Sequence, residues 1–232
     1  MLFDLDGTLI DHDSAAAVAL TRALEATPGL SHLDHERARH RWRELENLAM
    51  DRYLAGDLTF TGQRRLRVTS IAAELGLGTW DNPRTDAWFA SYLRHYEAAW
   101  CAYDDVQPAL RALAVQRPGL TIGVLTNGDA DQQHRKLRRT GLTAGLSEVI
   151  VSSTVGAAKP DARIFHHGCT RLRLSPAEVV YVGDRLHTDA IAATNAGLHG
   201  IWLNRSNDPP HEDISTIGTL GDLPAVLAEI DR

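Results

Sequence analysis

The chain has 232 residues, 44% apolar and 23% charged, with 24 Lys and Arg against 30 Asp and Glu for a formal net charge of −6. That is enough apolar material for a sizeable core, it lacks the basic footprint of a general nucleic-acid binder, and no run of roughly 18 or more apolar residues marks a membrane-crossing helix. Cys101 and Cys169 form no CxxC pair and the start, MLFDLDGTLI, has no basic, long-apolar leader, so no disulfide framework, zinc site or secretory signal is expected, and the expected compartment is a reducing cytoplasm.

Leu2–Leu5 reads as a short strand beginning almost at Met1, and a start upstream of Met1 stays open. From Ser14 to about Trp100 no comparable β run occurs; the stretch is rich in Ala, Leu, Arg, Glu and His, broken near Pro28-Gly29, Gly56, Gly76–Gly78 and Pro83. Helices are predicted at about 14–27, 34–55, 61–75 and 84–99. A further helix, about Val106–Gln116, leads into a strand at Leu120–Leu125 that ends on the turn Thr126-Asn127-Gly128. Strand and helix then alternate. Helix Ala130–Arg139 stops at Gly141, strand Glu148–Ser152 follows, and helix Pro160–Leu172 opens on its proline. Strand Val179–Val182, helix Thr188–Ala196 closed by Gly197, and a last strand Gly200–Leu203 complete the pattern.

Single helices between strands imply parallel pairing in an α/β sheet covered on both faces. A βαβ unit needs only about 30 residues, so the first crossover carries a large insertion. The expected organisation is an α/β core of residues 1–13 and 101–232, with an all-helical domain of residues 14–100 inserted after the first strand.

Four segments fall at the carboxyl ends of predicted strands, where open α/β sheets place their ligands. Asp4-Leu5-Asp6-Gly7-Thr8 sets two carboxylates at spacing two on an extended segment, so both point the same way. Such a pair suits a divalent cation with oxygen ligands, or a nucleophile beside a general acid; the plain alternative is a solvated strand-to-turn junction. Thr126-Asn127-Gly128 offers a hydroxyl and backbone N–H groups at a helix start, fit for a phosphate oxygen or for a simple N-cap. Lys159-Pro160 alone reads as a surface lysine ahead of a helix. Gly183-Asp184, followed by Asp189 in GDRLHTD, is a metal-ligand or capping pattern. Their order and their strand-end placement agree.

With these segments the sequence resembles the haloacid dehalogenase superfamily of phosphohydrolases over nearly its whole length. The four motifs stand as DLDGT at 4–8, LTNG at 125–128, KP at 159–160 and GDRLHTD at 183–189. The resemblance implies a Rossmann-like parallel-sheet core, and the insertion is similar to the family's helical C1 cap. Thr126–Gly128, Gln132-Gln133, Lys136-Leu137, Thr140–Leu142 and Gly200–Arg205 are similar to the branch holding pyrimidine 5′-nucleotidases and N-acylneuraminate-9-phosphatases. By this resemblance Asp4 is the nucleophile that becomes an aspartyl-phosphate, and Asp6 protonates the leaving alkoxide and later activates water. Mg²⁺ is held by the Asp4 carboxylate, the Asp6 carbonyl and Asp184. Thr126, the Asn127 amide and Lys159 bind phosphate oxygens, and Asp189 supports Lys159 or a metal-bound water. To act as an acid, Asp6 is expected to have a raised pKa.

The implied activity is Mg²⁺-dependent hydrolysis of a small phosphate monoester enclosed by the cap, a nucleoside monophosphate slightly ahead of a sugar phosphate because of the similarity at Thr126–Gly128 and Gly200–Arg205. The expected partner is a small phosphorylated metabolite, with no nucleic acid and no membrane; the oligomeric state is open. A phosphomutase, a 2-haloacid dehalogenase and a non-catalytic binding module are the competing readings. The family's dehalogenases lack an equivalent of Asp6, because expelling halide needs no acid; Asp6 therefore favours phosphoryl chemistry. Trp42, Trp88 and Trp100 read as packing in the insertion, Arg37–Arg43 and Arg64–Arg67 as solvated helix faces, and His166-His167 as unsuited to hold one metal because adjacent helical rings face apart.

Overall fold

In the computed structural model, which describes residues 1–30 and 34–230, six parallel strands form one sheet in the order β3-β2-β1-β4-β5-β6. They are β1 (Leu2–Phe3), β2 (Gly123–Thr126), β3 (Glu148–Val151), β4 (Val180–Gly183), β5 (His199–Leu203) and β6 (Ser215–Ile217). The α-helices are α1 (His12–Glu25), α2 (His35–Leu54), α3 (Phe60–Glu74), α4 (Asn82–Ala98), α5 (Val106–Gln116), α6 (Ala130–Arg139), α7 (Ser152–Val155), α8 (Ala162–Leu172), α9 (Ala192–Asn195) and α10 (Leu223–Ile230). A π-helical turn, Leu186–Ile191, runs directly into α9. The chain divides into two compact units, Met1–His12 with Cys101–Arg232, and Asp13–Trp100. Among the described residues no helix is long and apolar enough to cross a membrane.

The sheet is covered on both faces, as uniformly apolar parallel strands require. Successive strand residues point to opposite sides. Phe3, Val124, Val182 and Ile201 pack with Val106 and Leu113 of α5 and Leu223 and Leu227 of α10. Their neighbours Leu2, Leu125 and Tyr181 pack on the other side with Ile164 and Phe165 of α8 and Ala192 and Ala193 of α9. β1 is central, with β2 on one side and β4 on the other. Chain direction diverges there, which opens a crevice at the carboxyl edge.

Several element limits differ from the sequence expectation. β1 ends at Phe3 rather than Leu5, because the Leu5 carbonyl turns to accept from the amides of Leu9 and Ile10. β2 begins at Gly123 rather than Leu120, since its ladder starts only where the Met1 carbonyl can accept the Gly123 amide. The segment expected as helix Thr188–Ala196 starts earlier and as a π-turn, and α8 starts at Ala162 after an Asp161 cap whose carboxylate accepts the Arg163 amide. Gly200–Leu203 is not the last strand; β6 follows it, a Ser-Thr-Ile segment with only Ile217 buried, too short to show periodicity.

The helical unit is built on caps. Asp34, Thr59 and Asp81 each accept first-turn amides of α2, α3 and α4, which satisfies donors a helix start leaves open. Its core collects Ala19, Leu20, Trp42, Leu45, Val68, Ile71, Phe89 and Tyr92. The expectation of a solvated Arg64–Arg67 face fails at Arg67. Its guanidinium is buried over the Trp42 ring, 4.4 Å from the centroid, with Nη1 3.0 Å from Glu46 Oε1.

Candidate active site

The residues singled out from the sequence converge at the carboxyl edge of the sheet. Asp4 follows β1 directly, and its amide donates to the Val182 carbonyl at 2.8 Å, which registers it against β4. Thr126 is the last residue of β2, and Asp184 follows the last residue of β4. Lys159 arrives on the loop before α8. The Asn127 side chain grips that loop twice, donating to the Lys159 carbonyl at 2.9 Å and accepting the Lys159 amide at 2.8 Å. Thus the Asn127 side-chain amide holds the lysine's backbone.

Lys159 Nζ donates three bonds: to Asp4 Oδ1 at 2.6 Å, to Asp189 Oδ1 at 2.6 Å and to the Tyr181 hydroxyl at 2.8 Å. An ammonium has three N–H donors, so this one is saturated within the fold. Asp189 is drawn inward by the π-turn and is fully buried. Its second oxygen accepts the Arg185 amide at 3.0 Å. Opposite, the Thr8 hydroxyl donates to Asp184 Oδ1 at 3.1 Å, and the Trp202 indole donates to the Asp184 carbonyl at 2.9 Å. Gly7 must be glycine: its φ is +86°, and a Cβ would lie 2.4 Å from Asp184 Oδ2. Gly183 is as constrained, since a Cβ there would lie 2.4 Å from the Asp189 Cβ.

Carboxyl oxygens of Asp4, Asp184 and Asp189 all lie within 4.8 Å of one another. Burial pushes the Asp4 carboxyl up, to about 6, against the pull of the Lys159 ammonium. Burial, then the neighbouring Asp4 and Asp189 carboxyls, push Asp184 up to about 8. Lys159 is raised despite its burial, because Asp189 and Asp4 flank it. Four carboxyls (Asp4, Asp6, Asp184, Asp189) therefore face two ammoniums (Lys136, Lys159). The clustered carboxyls and the all-oxygen donor set fit a hard divalent cation such as Mg²⁺ better than zinc.

Asp6 differs from the expectation. Burial raises its carboxyl, but the Lys136 ammonium, then His12 and the Gln133 amide, outweigh it and hold the group below the ordinary carboxylate range. The expected raised pKa does not occur because α6 delivers Lys136 and Gln133 straight onto this carboxylate. In the sequence both residues stand within the stretch similar to one family branch, and nothing there assigns them a role.

Two other side chains support the site: Tyr181, and Arg205 at the end of the Gly200–Arg205 stretch similar to the same branch. Tyr181 reads as an apolar strand residue, yet its hydroxyl meets Lys159, Asp189 and the Leu125 carbonyl. Arg205 forks onto Asp105 at 2.9 and 3.0 Å and donates to the Thr8 carbonyl at 2.9 Å, bracing the loop that carries Asp4 and Asp6. No spacing rule marks either residue.

Along its length the chain is 27% identical to N-acylneuraminate-9-phosphatase of Mus musculus, covering 100% of this chain and 94% of that protein. Two other curated phosphatases are 37% and 36% identical over 115 residues, and there the match spans only about half of their length, 46% and 48%. Among solved structures, a HAD-hydrolase of Bacillus subtilis, YfnB, bound to magnesium, superposes with a TM-score of 0.83 at 23% identity, covering 98% of this chain and 97% of that one. The 2-haloacid dehalogenase of Pseudomonas syringae pv. Tomato DC3000 superposes with a TM-score of 0.66 at 28% identity, covering 98% and 97%. The sequence profile of the haloacid dehalogenase-like hydrolases matches residues 1–197, which include Asp4, Asp6, Thr126, Lys159, Asp184 and Asp189. The chain belongs to the haloacid dehalogenase-like hydrolase family.

Proposed function

We propose that the protein hydrolyses a small phosphate monoester through an aspartyl-phosphate on Asp4. The observation that carries this reading is the buried Lys159 ammonium 2.6 Å from Asp4, with Asp184 and Asp189 close enough to Asp4 to share one cation. An anionic nucleophile meets an anionic phosphate only where cations neutralise both. Asp4 and Asp184 would hold Mg²⁺, with the Asp6 carbonyl as a third donor. When bound, the ion supplies Lewis-acid stabilisation of charge on the transferring phosphoryl group.

Asp189 is engaged by Lys159, Tyr181 and the Arg185 amide, which suits a support for the lysine better than a direct ligand. Lys159 exchanges its contact with Asp4 for a phosphate oxygen while Tyr181 and Asp189 keep it in place. The Thr126 hydroxyl takes a second phosphate oxygen. Asp4 attacks phosphorus, the ester bond breaks, and Asp6 gives its proton to the departing oxygen. Asp6 then takes a proton from the water that attacks the aspartyl-phosphate, releasing inorganic phosphate and restoring Asp4. Because Asp6 is held ionised, it is set as the base of the second step and must take up a proton to act as the acid of the first.

The whole-length likeness to an N-acylneuraminate-9-phosphatase supports a sugar phosphate over a nucleoside monophosphate as the substrate class. A cytoplasmic setting fits such a metabolite. The likeness to a 2-haloacid dehalogenase supports a second reading, attack of Asp4 at carbon with loss of halide. Asp6 counts against it, since a halide leaves without a proton. Purified protein assayed with Mg²⁺ against a panel of phosphorylated metabolites and 2-haloacids decides between them. Phosphate release from sugar phosphates is expected, and halide release alone would reverse the assignment.

A further inference from the structure

Gln133 and Lys136 stand one turn apart on α6, and each is 2% exposed. Lys136 Nζ lies 2.6 and 2.7 Å from the two oxygens of Asp6, so the carboxylate is gripped at both ends. Gln133 Nε2 lies 2.9 Å from Asp6 Oδ2 and 2.9 Å from Thr126 Oγ1, so one amide ties Asp6 to the hydroxyl at the end of β2. We propose that Lys136, assisted by Gln133, is the positioning residue for the Asp6 carboxylate, setting where it stands beside the phosphate site.

The inference rests on the phosphatase reading, in which Asp6 serves the leaving oxygen and the attacking water. A lysine this buried is found almost only with a partner, and here both Asp6 oxygens lie within hydrogen-bond distance of its Nζ, at 2.6 and 2.7 Å. A carboxylate held at both oxygens cannot turn about its last torsion, and Gln133 fixes which oxygen faces Thr126. The arrangement also divides the charges. Lys159 serves Asp4 and Asp189, while Lys136 serves Asp6, so the two carboxylates of the Asp-Leu-Asp segment do not compete for one cation. Without Lys136, Asp6 loses the ammonium that holds both its oxygens and keeps the Gln133 amide on one of them. Asp129 supports the geometry from below: its carboxylate accepts the Gln132 amide at 3.0 Å and fixes the first turn of α6.

The test is a kinetic cycle on 4-nitrophenyl phosphate with Mg²⁺, using wild type, Lys136→Met, Asp6→Asn and the double variant. Inhibition by inorganic phosphate is read alongside. Lys136→Met is expected to lower kcat by about tenfold or more, while the phosphate inhibition constant moves by less than about threefold, because Lys159 and Thr126 are untouched. In the Asp6→Asn background the same substitution should cost less than about twofold, since its effect runs through Asp6. Lys136→Arg, which keeps a cation at that place, should recover part of the loss.

Losses that multiply in the double variant would overturn the inference, as would a Lys136→Met enzyme within about twofold of wild-type kcat. If Lys136→Met does not fold, Gln133→Leu decides: a kcat lowered about threefold or more is expected, and an unchanged one overturns the proposal. A wild-type protein that releases phosphate from no monoester would remove the phosphatase reading and this inference together. Normal wild-type turnover with an additive cycle would remove the inference alone.

Discussion

Replacing Tyr181 by Phe removes a single oxygen from the centre of the site and leaves the ring, which packs edge-on against Phe165 with centroids 5.1 Å apart. The hydroxyl accepts one Lys159 N–H at 2.8 Å and has the Asp189 carboxylate and the Leu125 carbonyl as acceptors at 3.1 Å each. Lys159 has no spare partner, because its other two donors already serve Asp4 and Asp189. The substitution therefore leaves one N–H of a buried ammonium unpaired, a loss of about 2 kcal/mol. For a unit of this size that lowers the melting temperature by about 4–8 °C. Thermal melts of metal-free protein, followed by circular dichroism at neutral pH, read the loss. Phosphatase assays should show a kcat about tenfold lower, because the phosphate-binding ammonium is no longer fixed from behind. A melting temperature within about 1 °C of wild type would refute the reasoning, since it would mean that the hydroxyl contributes nothing to holding Lys159.

Asp4→Asn should reduce phosphate release to background while leaving the circular dichroism spectrum unchanged, because an amide keeps the shape and is a poor nucleophile toward phosphorus. Gly7→Ala forces a Cβ into the Asp184 carboxylate from a left-handed backbone, and kcat at saturating Mg²⁺ should fall about a hundredfold or more; wild-type turnover would show that the loop yields freely. The pH dependence follows from Asp184, whose carboxyl is raised to about 8 in the metal-free fold. Between the ordinary carboxylate pKa of about 4 and that value the folded chain holds a proton that the unfolded chain has lost, so metal-free stability falls as pH rises through this window. A cation needs the ionised carboxylate, so the increase in melting temperature on adding Mg²⁺ should be larger at about pH 8 than at about pH 6. Melts at both pH values check this, and a larger increase at the lower pH would contradict it.

The parallel sheet was legible because Val124-Leu125, Ile150-Val151 and Val180–Val182 are short apolar runs separated by single helices, a pattern that leaves little freedom of topology. Asp4, Thr126 and Asp184 were legible for the same reason, since a strand end fixes the place of the residue that follows it. Lys159 needed the resemblance, because a lysine before a proline carries no local mark of burial. What sequence hid lies one step further from the strands. In α6 the run Lys136-Leu137-Arg138-Arg139 offers three cations, and only the packing of the helix decides that Lys136 turns inward to Asp6. Tyr181 fills an apolar strand position with a ring whose hydroxyl finds its partners only after β2 and the Lys159 loop have come together. Arg67 likewise pairs with Glu46 across two helices, a contact that no local periodicity encodes. The π-turn at Leu186–Ile191 reads as ordinary helix because its departure is a matter of backbone bonding around Asp189, of the kind often found at functional sites.

In the proposed reaction Asp4 attacks phosphorus and water then attacks phosphorus in turn. Turnover of the best sugar phosphate in H₂¹⁸O, with mass spectrometry of the released phosphate and of the peptide holding Asp4, tests it most directly. ¹⁸O is expected in the inorganic phosphate and none in the Asp4 carboxylate. Phosphate free of ¹⁸O would contradict it. So would the absence of phosphate release alongside turnover of a 2-haloacid that leaves ¹⁸O in Asp4, since that outcome assigns the nucleophile to carbon.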